Sequence, residues 1–106
     1  MATSEETLIT EAGRRLSEAA PEARVILFGS RARGTTHAGS DLDLLVIEPR
    51  RGTRQAEFVR LRKALGEIGV PVDLLVYWTS EVERWGGVPG TFLNGVLKEG
   101  RVLAGG

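Results

Sequence analysis

Two apolar runs set close together constrain this chain most. Residues 25–28 (Val-Ile-Leu-Phe) and the run from Leu42 through Leu44, Leu45 and Val46 to Ile47 are short, rich in branched side chains and bounded by turn formers. Each reads as a buried strand, the first over residues 24–28 and the second over 41–47. What lies between them is polar and small: Gly29-Ser30-Arg31-Ala32-Arg33-Gly34 leaves the first strand, and Gly39-Ser40 leads into Asp41-Leu42-Asp43 at the mouth of the second.

The polar residues at these strand mouths share one chemistry. Side chains alternate across a strand, so Asp41 and Asp43 point to one side while Leu42, Leu44 and Val46 point to the other. Two neighbouring carboxylates repel, and burying them unpaired is costly. A divalent cation between them relieves both penalties, and Mg2+ characteristically takes one or two carboxylates and fills its shell with water and substrate phosphate. Gly29 permits a sharp turn or a close approach. Ser30 can cap a helix beginning near Arg31, and free N–H groups at a helix start attract phosphate. Arg31 and Arg33 are unfavourable in a first helical turn unless an anion is near.

Taken singly these features are ordinary. Gly-Ser after a strand is usually a turn, and Asp-x-Asp at a strand start is usually a solvated edge or an Asx-turn. Gly29 and Gly34 also have the spacing of a P-loop, but Thr35 stands where that motif requires Lys, which excludes an ordinary P-loop NTPase. The ordered combination is what carries information.

That combination, Gly29-Ser30 followed by Asp41-x-Asp43, with Phe-Gly-Ser-Arg-Ala-Arg-Gly and Ser-Asp-Leu-Asp-Leu-Leu-Val around it, resembles the signature of the minimal nucleotidyltransferases. These are the smallest members of the DNA polymerase beta superfamily. The closing Glu-Gly-Arg-Val-Leu is similar as well. The resemblance implies nucleotidyl transfer from ATP with two Mg2+ ions held by three carboxylates. Asp41, Asp43 and Asp73 are the matching positions, with Gly29, Ser30, Arg31 and Arg33 at the triphosphate.

The chain has 106 residues, which suits a single domain over 1–106. A chain of this size buries roughly 60–70% of its unfolded surface, enough for a modest core. Acidic and basic residues number 14 each, so bulk charge gives no reason to expect direct nucleic-acid or membrane binding. Cysteine is absent, which excludes disulfides, thiolate metal sites and thiol nucleophiles. With no basic segment preceding an apolar run at the start, and no apolar stretch near the ~20 residues of a membrane span, a cytoplasmic protein is expected.

Along the rest of the chain, residues 3–20 read as a helix with a Thr3-x-x-Glu6 capping box, ended by Pro21. Residues 34–40 read as a loop whose His37 is most simply solvated. A second helix is expected over 53–68, with Phe58, Leu61, Leu65 and Ile68 on its apolar face and Gly69 as its stop. A third strand over 70–78 carries Asp73 among apolar residues, where an unpaired carboxylate is disfavoured. If that strand lies beside the second, Asp73 faces Asp41 and Asp43; otherwise it is an edge residue facing water. A short helix through Trp85 with a Ser80-x-x-Glu83 box, a glycine-rich break, a helix over 91–99 and an edge strand over 101–103 complete the pattern. The expected fold is α+β, an α/β sandwich with a small mixed sheet flanked by helices. This agrees with the polymerase beta-like palm the resemblance implies.

The resemblance also suggests the acceptor. Larger relatives carry an extra acceptor-binding domain, for which 106 residues leave no room. Minimal nucleotidyltransferases resemble antitoxins that pair with a HEPN-domain toxin and transfer AMP to its tyrosine. The expected partner is therefore a HEPN toxin. A small-molecule (aminoglycoside-type) nucleotidyltransferase subunit, possible as a homo-oligomer, and a non-catalytic binding antitoxin are the alternatives.

Overall fold

The computed structural model describes residues 4–29 and 41–105. Ser30, Arg31, Arg33 and His37, the turn or helix after Gly29, and Thr3 of the expected capping box lie outside the described residues. The described elements run α1 (Glu5–Ala19), β1 (Arg24–Phe28), β2 (Leu42–Glu48), α2 (Arg54–Leu65), β3 (Val72–Trp78), α3 (Thr79–Trp85), α4 (Phe92–Glu99) and β4 (Arg101–Ala104).

The four strands form one sheet in the order β3-β2-β1-β4. β1 pairs antiparallel with β2 and with β4, while β2 and β3 run parallel. A parallel pair needs a crossover, and α2 supplies it. Alternation along the strands divides the apolar residues between two faces. Val25, Leu27, Leu42, Leu44, Val46, Leu74 and Val76 pack with Ile9 and Leu16 of α1 and Leu61 and Leu65 of α2. On the other face Ile26, Leu45 and Ile47 pack with Leu93 and Val96 of α4, backed by Val82 of α3. The sandwich thus has α1 and α2 on one side and α3 and α4 on the other, which is the α+β mixed-sheet architecture expected.

Several boundaries differ from the sequence expectation, each for a local reason. α1 is capped by Ser4, whose Oγ accepts from the Thr7 N–H at 3.1 Å. α2 ends at Gly66 rather than Gly69: Gly66 adopts φ 62°, a left-handed conformation natural to glycine, and its N–H closes the helix on the Arg62 carbonyl at 3.1 Å. Ile68 is still buried, but from the connection beyond the helix. β3 starts at Val72 because Pro71 precedes it; the Pro71 carbonyl accepts from the Leu42 N–H at 2.9 Å and starts the parallel pairing. α3 is not capped by a Ser80–Glu83 box. Glu81 reaches back instead and accepts from the Trp78 N–H at 2.8 Å. Phe58, expected on the buried face of α2, is 38% exposed, and Glu57 takes the buried position in its place.

Candidate active site

The acidic residues gather at one end of the sheet. Asp43 lies opposite Asp73 in the parallel β2–β3 register and opposite Phe28 in the antiparallel β1–β2 register. Partners in register share a face, so Phe28, Asp43 and Asp73 form a row across three strands on the α3/α4 side. Asp43 is half-buried, while Asp41 and Asp73 are exposed. Asp41 stands immediately before β2, and alternation puts it on the side of Asp43. Asp73 thus stands beside Asp43 in register, on an outer strand of the sheet where its side chain is exposed.

Gly29 is fixed by this row. It leaves β1 with φ 76°, and a Cβ built on it would stand 2.2 Å from Oδ2 of Asp43. Any side chain there meets both a strained backbone and the carboxylate. The Gly of the Gly-Ser pair thus keeps the mouth of β1 open directly against an acid of the Asp-x-Asp pair. The sequence placed these residues in order; the hairpin-like pairing of β1 with β2 puts them in contact distance.

The donor set is all carboxylate, which suits a hard cation such as Mg2+. Among the described residues no group of three or more Asp, Glu, His or Cys side chains is drawn together closely enough to hold a metal ion. What the structure does show is two carboxylates in register, a third two residues before Asp43, and a backbone kept clear of Asp43 by Gly29. Their all-oxygen chemistry is the kind Mg2+ takes from a protein when water and phosphate supply its remaining ligands.

Two openings flank the row. A cleft of about 290 Å3 lies between the end of β1 and α4, bordered by Phe28, Gly29 and Phe92. A larger groove of about 640 Å3 follows the open edge of β3, bordered by Arg54, Phe58, Leu74, Tyr77 and Glu81. None of the row lines the larger groove, whereas Phe28 and Gly29 line the smaller cleft and so place it beside the row, although none of the three aspartates lines it. Sequence reading passed over the residues that dress the β3 edge. Arg54 Nη1 donates to the Val76 carbonyl at 2.8 Å and the guanidinium pairs with both Glu81 oxygens at 2.9 and 2.8 Å. That arginine holds the Glu81 carboxyl below the usual range. It also lies over the rings of Tyr77 and Trp78, at 5.5 and 5.6 Å. Arg54 and Glu81 are far apart in sequence, so no local pattern exposes the pair.

The family profile of the nucleotidyltransferase domain matches residues 9–102, and the chain belongs to that family. A solved structure from Sulfolobus solfataricus, of a protein classed among the nucleotidyltransferases, superposes with a TM-score of 0.62. It is 20% identical, with 96% of this chain and 89% of that one covered, and shows the shared fold. No match was found among functionally curated proteins.

Proposed function

We propose that this chain is a Mg2+-dependent adenylyltransferase that moves AMP from ATP to a tyrosine hydroxyl of a partner HEPN-domain toxin, and so acts as the antitoxin of the pair. The observation that carries the reaction is the shared register of Asp43 and Asp73 on adjacent parallel strands, with Gly29 clearing the backbone beside Asp43. Family membership supports the transfer chemistry. The resemblance to minimal nucleotidyltransferases supports the choice of acceptor.

Asp41 and Asp43 would hold Mg2+ with the triphosphate, and Asp73 would help hold a second ion. Bound there, Mg2+ would neutralise developing charge on the attacking and leaving oxygens. The residues of the chain do the rest. Asp73, exposed on the outer strand, accepts the proton of the incoming hydroxyl as its oxygen bonds to the α-phosphorus. The bond from that phosphorus to the α–β bridging oxygen breaks, and pyrophosphate departs. Gly29 and Ser30 hold the β- and γ-phosphates through backbone and hydroxyl, and Arg31 or Arg33 offsets the leaving charge.

The test is incubation with labelled ATP, Mg2+ and a HEPN-domain protein encoded beside this one, following label and mass on that protein. One or more AMP additions on a tyrosine, absent with Asp43→Asn, are expected. Neutralisation of the partner without transfer, unchanged in Asp43→Asn, would replace the reading with contact inhibition. Transfer to a small hydroxylated molecule alone would keep the reaction and overturn the acceptor.

A further inference from the structure

We infer that the cleft between the end of β1 and α4 receives the base of the nucleotide, with Phe92 as its stacking surface; this rests on the nucleotidyl-transfer reading above. The cleft and the acid row share Gly29, which lines one and touches the other. β2 lies between β1 and β3, so the cleft and Asp73 stand on opposite flanks of Asp43. A nucleotide whose α-phosphate lies at Asp43 and whose β- and γ-phosphates pass Gly29 can fold back so that its base enters the cleft, leaving the Asp73 flank clear for the acceptor.

The lining suits a planar aromatic group. Phe92 is 46% exposed, although the next residue, Leu93, and then Val96 on the same helix are buried. Its ring is held edge-on to Phe28, with centroids 5.5 Å apart at 83°, and lies 6.0 Å from Tyr77 at a tilt of 30°. Two aromatic neighbours thus fix a large apolar ring that remains partly open beside the acids. An aromatic face accepts any base by stacking. Thr91, Val96 and Glu99 also border it, as do Gly90 and Gly95, and a Cβ built on either glycine meets nothing within 4 Å. A side chain at Gly95 would therefore occupy the cleft without disturbing the fold.

The test uses the full chain with Mg2+ in calorimetric titrations against ATP and against inorganic tripolyphosphate, which has no base. The wild-type chain should bind ATP the more tightly. Gly95→Leu fills the cleft while replacing a helical glycine by a better helix former. Phe92→Ala removes the ring. Each should weaken ATP about tenfold, leave tripolyphosphate unchanged, and in Gly95→Leu leave the melting temperature undiminished. ATP binding unaltered in both variants, or wild-type binding of tripolyphosphate as tight as that of ATP, would overturn the inference and leave nucleotidyl transfer standing. Slower transfer in Gly95→Leu with ATP binding intact would overturn it too, giving the cleft to the acceptor. A wild-type chain that binds neither probe would bring down the transfer reading and the inference with it.

Discussion

The buried acid pair Glu48 and Glu57 makes stability depend on pH in a direction that one substitution can cancel. Glu48 ends β2 at 1% exposure and Glu57 on α2 is 3% exposed. Arg60 donates to both oxygens of Glu57, at 2.8 and 2.7 Å, and its Nη1 donates to the Ala19 carbonyl at the end of α1. Glu48 faces Glu57, with Arg51 Nε 3.9 Å from its Oε1 and Arg60 acting on it from beyond Glu57, and its Oε2 has no hydrogen-bond partner among the described residues. β3 offers only the uncharged Trp78 in register with Glu48. Burial, then the hydrogen bond to Glu57, push the Glu48 carboxyl up to about 7. The bond from Arg60 outweighs burial at Glu57 and takes it down to about 2. Below about pH 7, then, the Glu48 carboxyl holds its proton while Glu57 holds a charge.

The consequences follow by linkage. Unfolded, Glu48 loses its proton near its ordinary value of 4.5. From there up to about 7 the folded chain binds one proton more, so stability falls as pH rises. At about 1.4 kcal/mol per pH unit the loss is about 3 kcal/mol, complete above about pH 7. Glu57 acts oppositely: its contribution is present above its unfolded value and is lost as pH falls toward about 2. Glu48→Gln keeps the shape, can donate an N–H to Glu57, and cannot titrate. Urea unfolding read by tryptophan fluorescence at pH 5, 6, 7 and 8 should show wild-type stability declining with pH relative to the variant. The variant should be the more stable by up to about 3 kcal/mol at pH 8. Comparing the two chains cancels the single histidine, His37, which both retain. Parallel pH profiles would refute the shared-proton argument.

Two further perturbations test the site and the sheet edge. Gly29→Ala combines a φ of 76° with a Cβ 2.2 Å from the Asp43 carboxylate; it should destabilise the fold by about 1–3 kcal/mol and weaken Mg2+-dependent nucleotide binding, measured by thermal melting and calorimetry. Unchanged binding would show that Asp43 moves aside freely. Arg54→Ala strips the guanidinium from the Val76 carbonyl and from Glu81, opening the β3 edge; a loss of about 1 kcal/mol and increased self-association in light scattering are expected, whereas a monomer of full stability would show that the edge needs no such cover.

Much of the site was legible because its chemistry is local. Asp41 and Asp43 are two residues apart on a strand that announces itself by its apolar run, and alternation alone assigns their common side. Asp73 stands out by the cost of a carboxylate in an apolar strand, and Gly29 by the sharp turn or close approach that it permits. Boundaries were less legible. Gly69 is the stop expected from sequence, yet the helix closes at Gly66, whose N–H bonds the Arg62 carbonyl, and Ile68 is buried from beyond the helix. Phe58 and Phe92 fit an apolar periodicity, yet both end half exposed, because periodicity gives a direction on a helix and not the depth of the neighbour it meets.

What the sequence by itself determined are the strands, most of the helices, and the residue types at the strand mouths, since these depend on propensity and alternation over a few residues. The tertiary structure alone decided that Asp73 aligns with Asp43, that Gly29 abuts an Asp43 oxygen, that Arg54 shields the β3 edge, and that Glu48 shares a buried environment with Glu57. Each of these joins residues on different elements. Their relation is set by strand register and by how helices settle on the sheet, which are properties of the whole packed core.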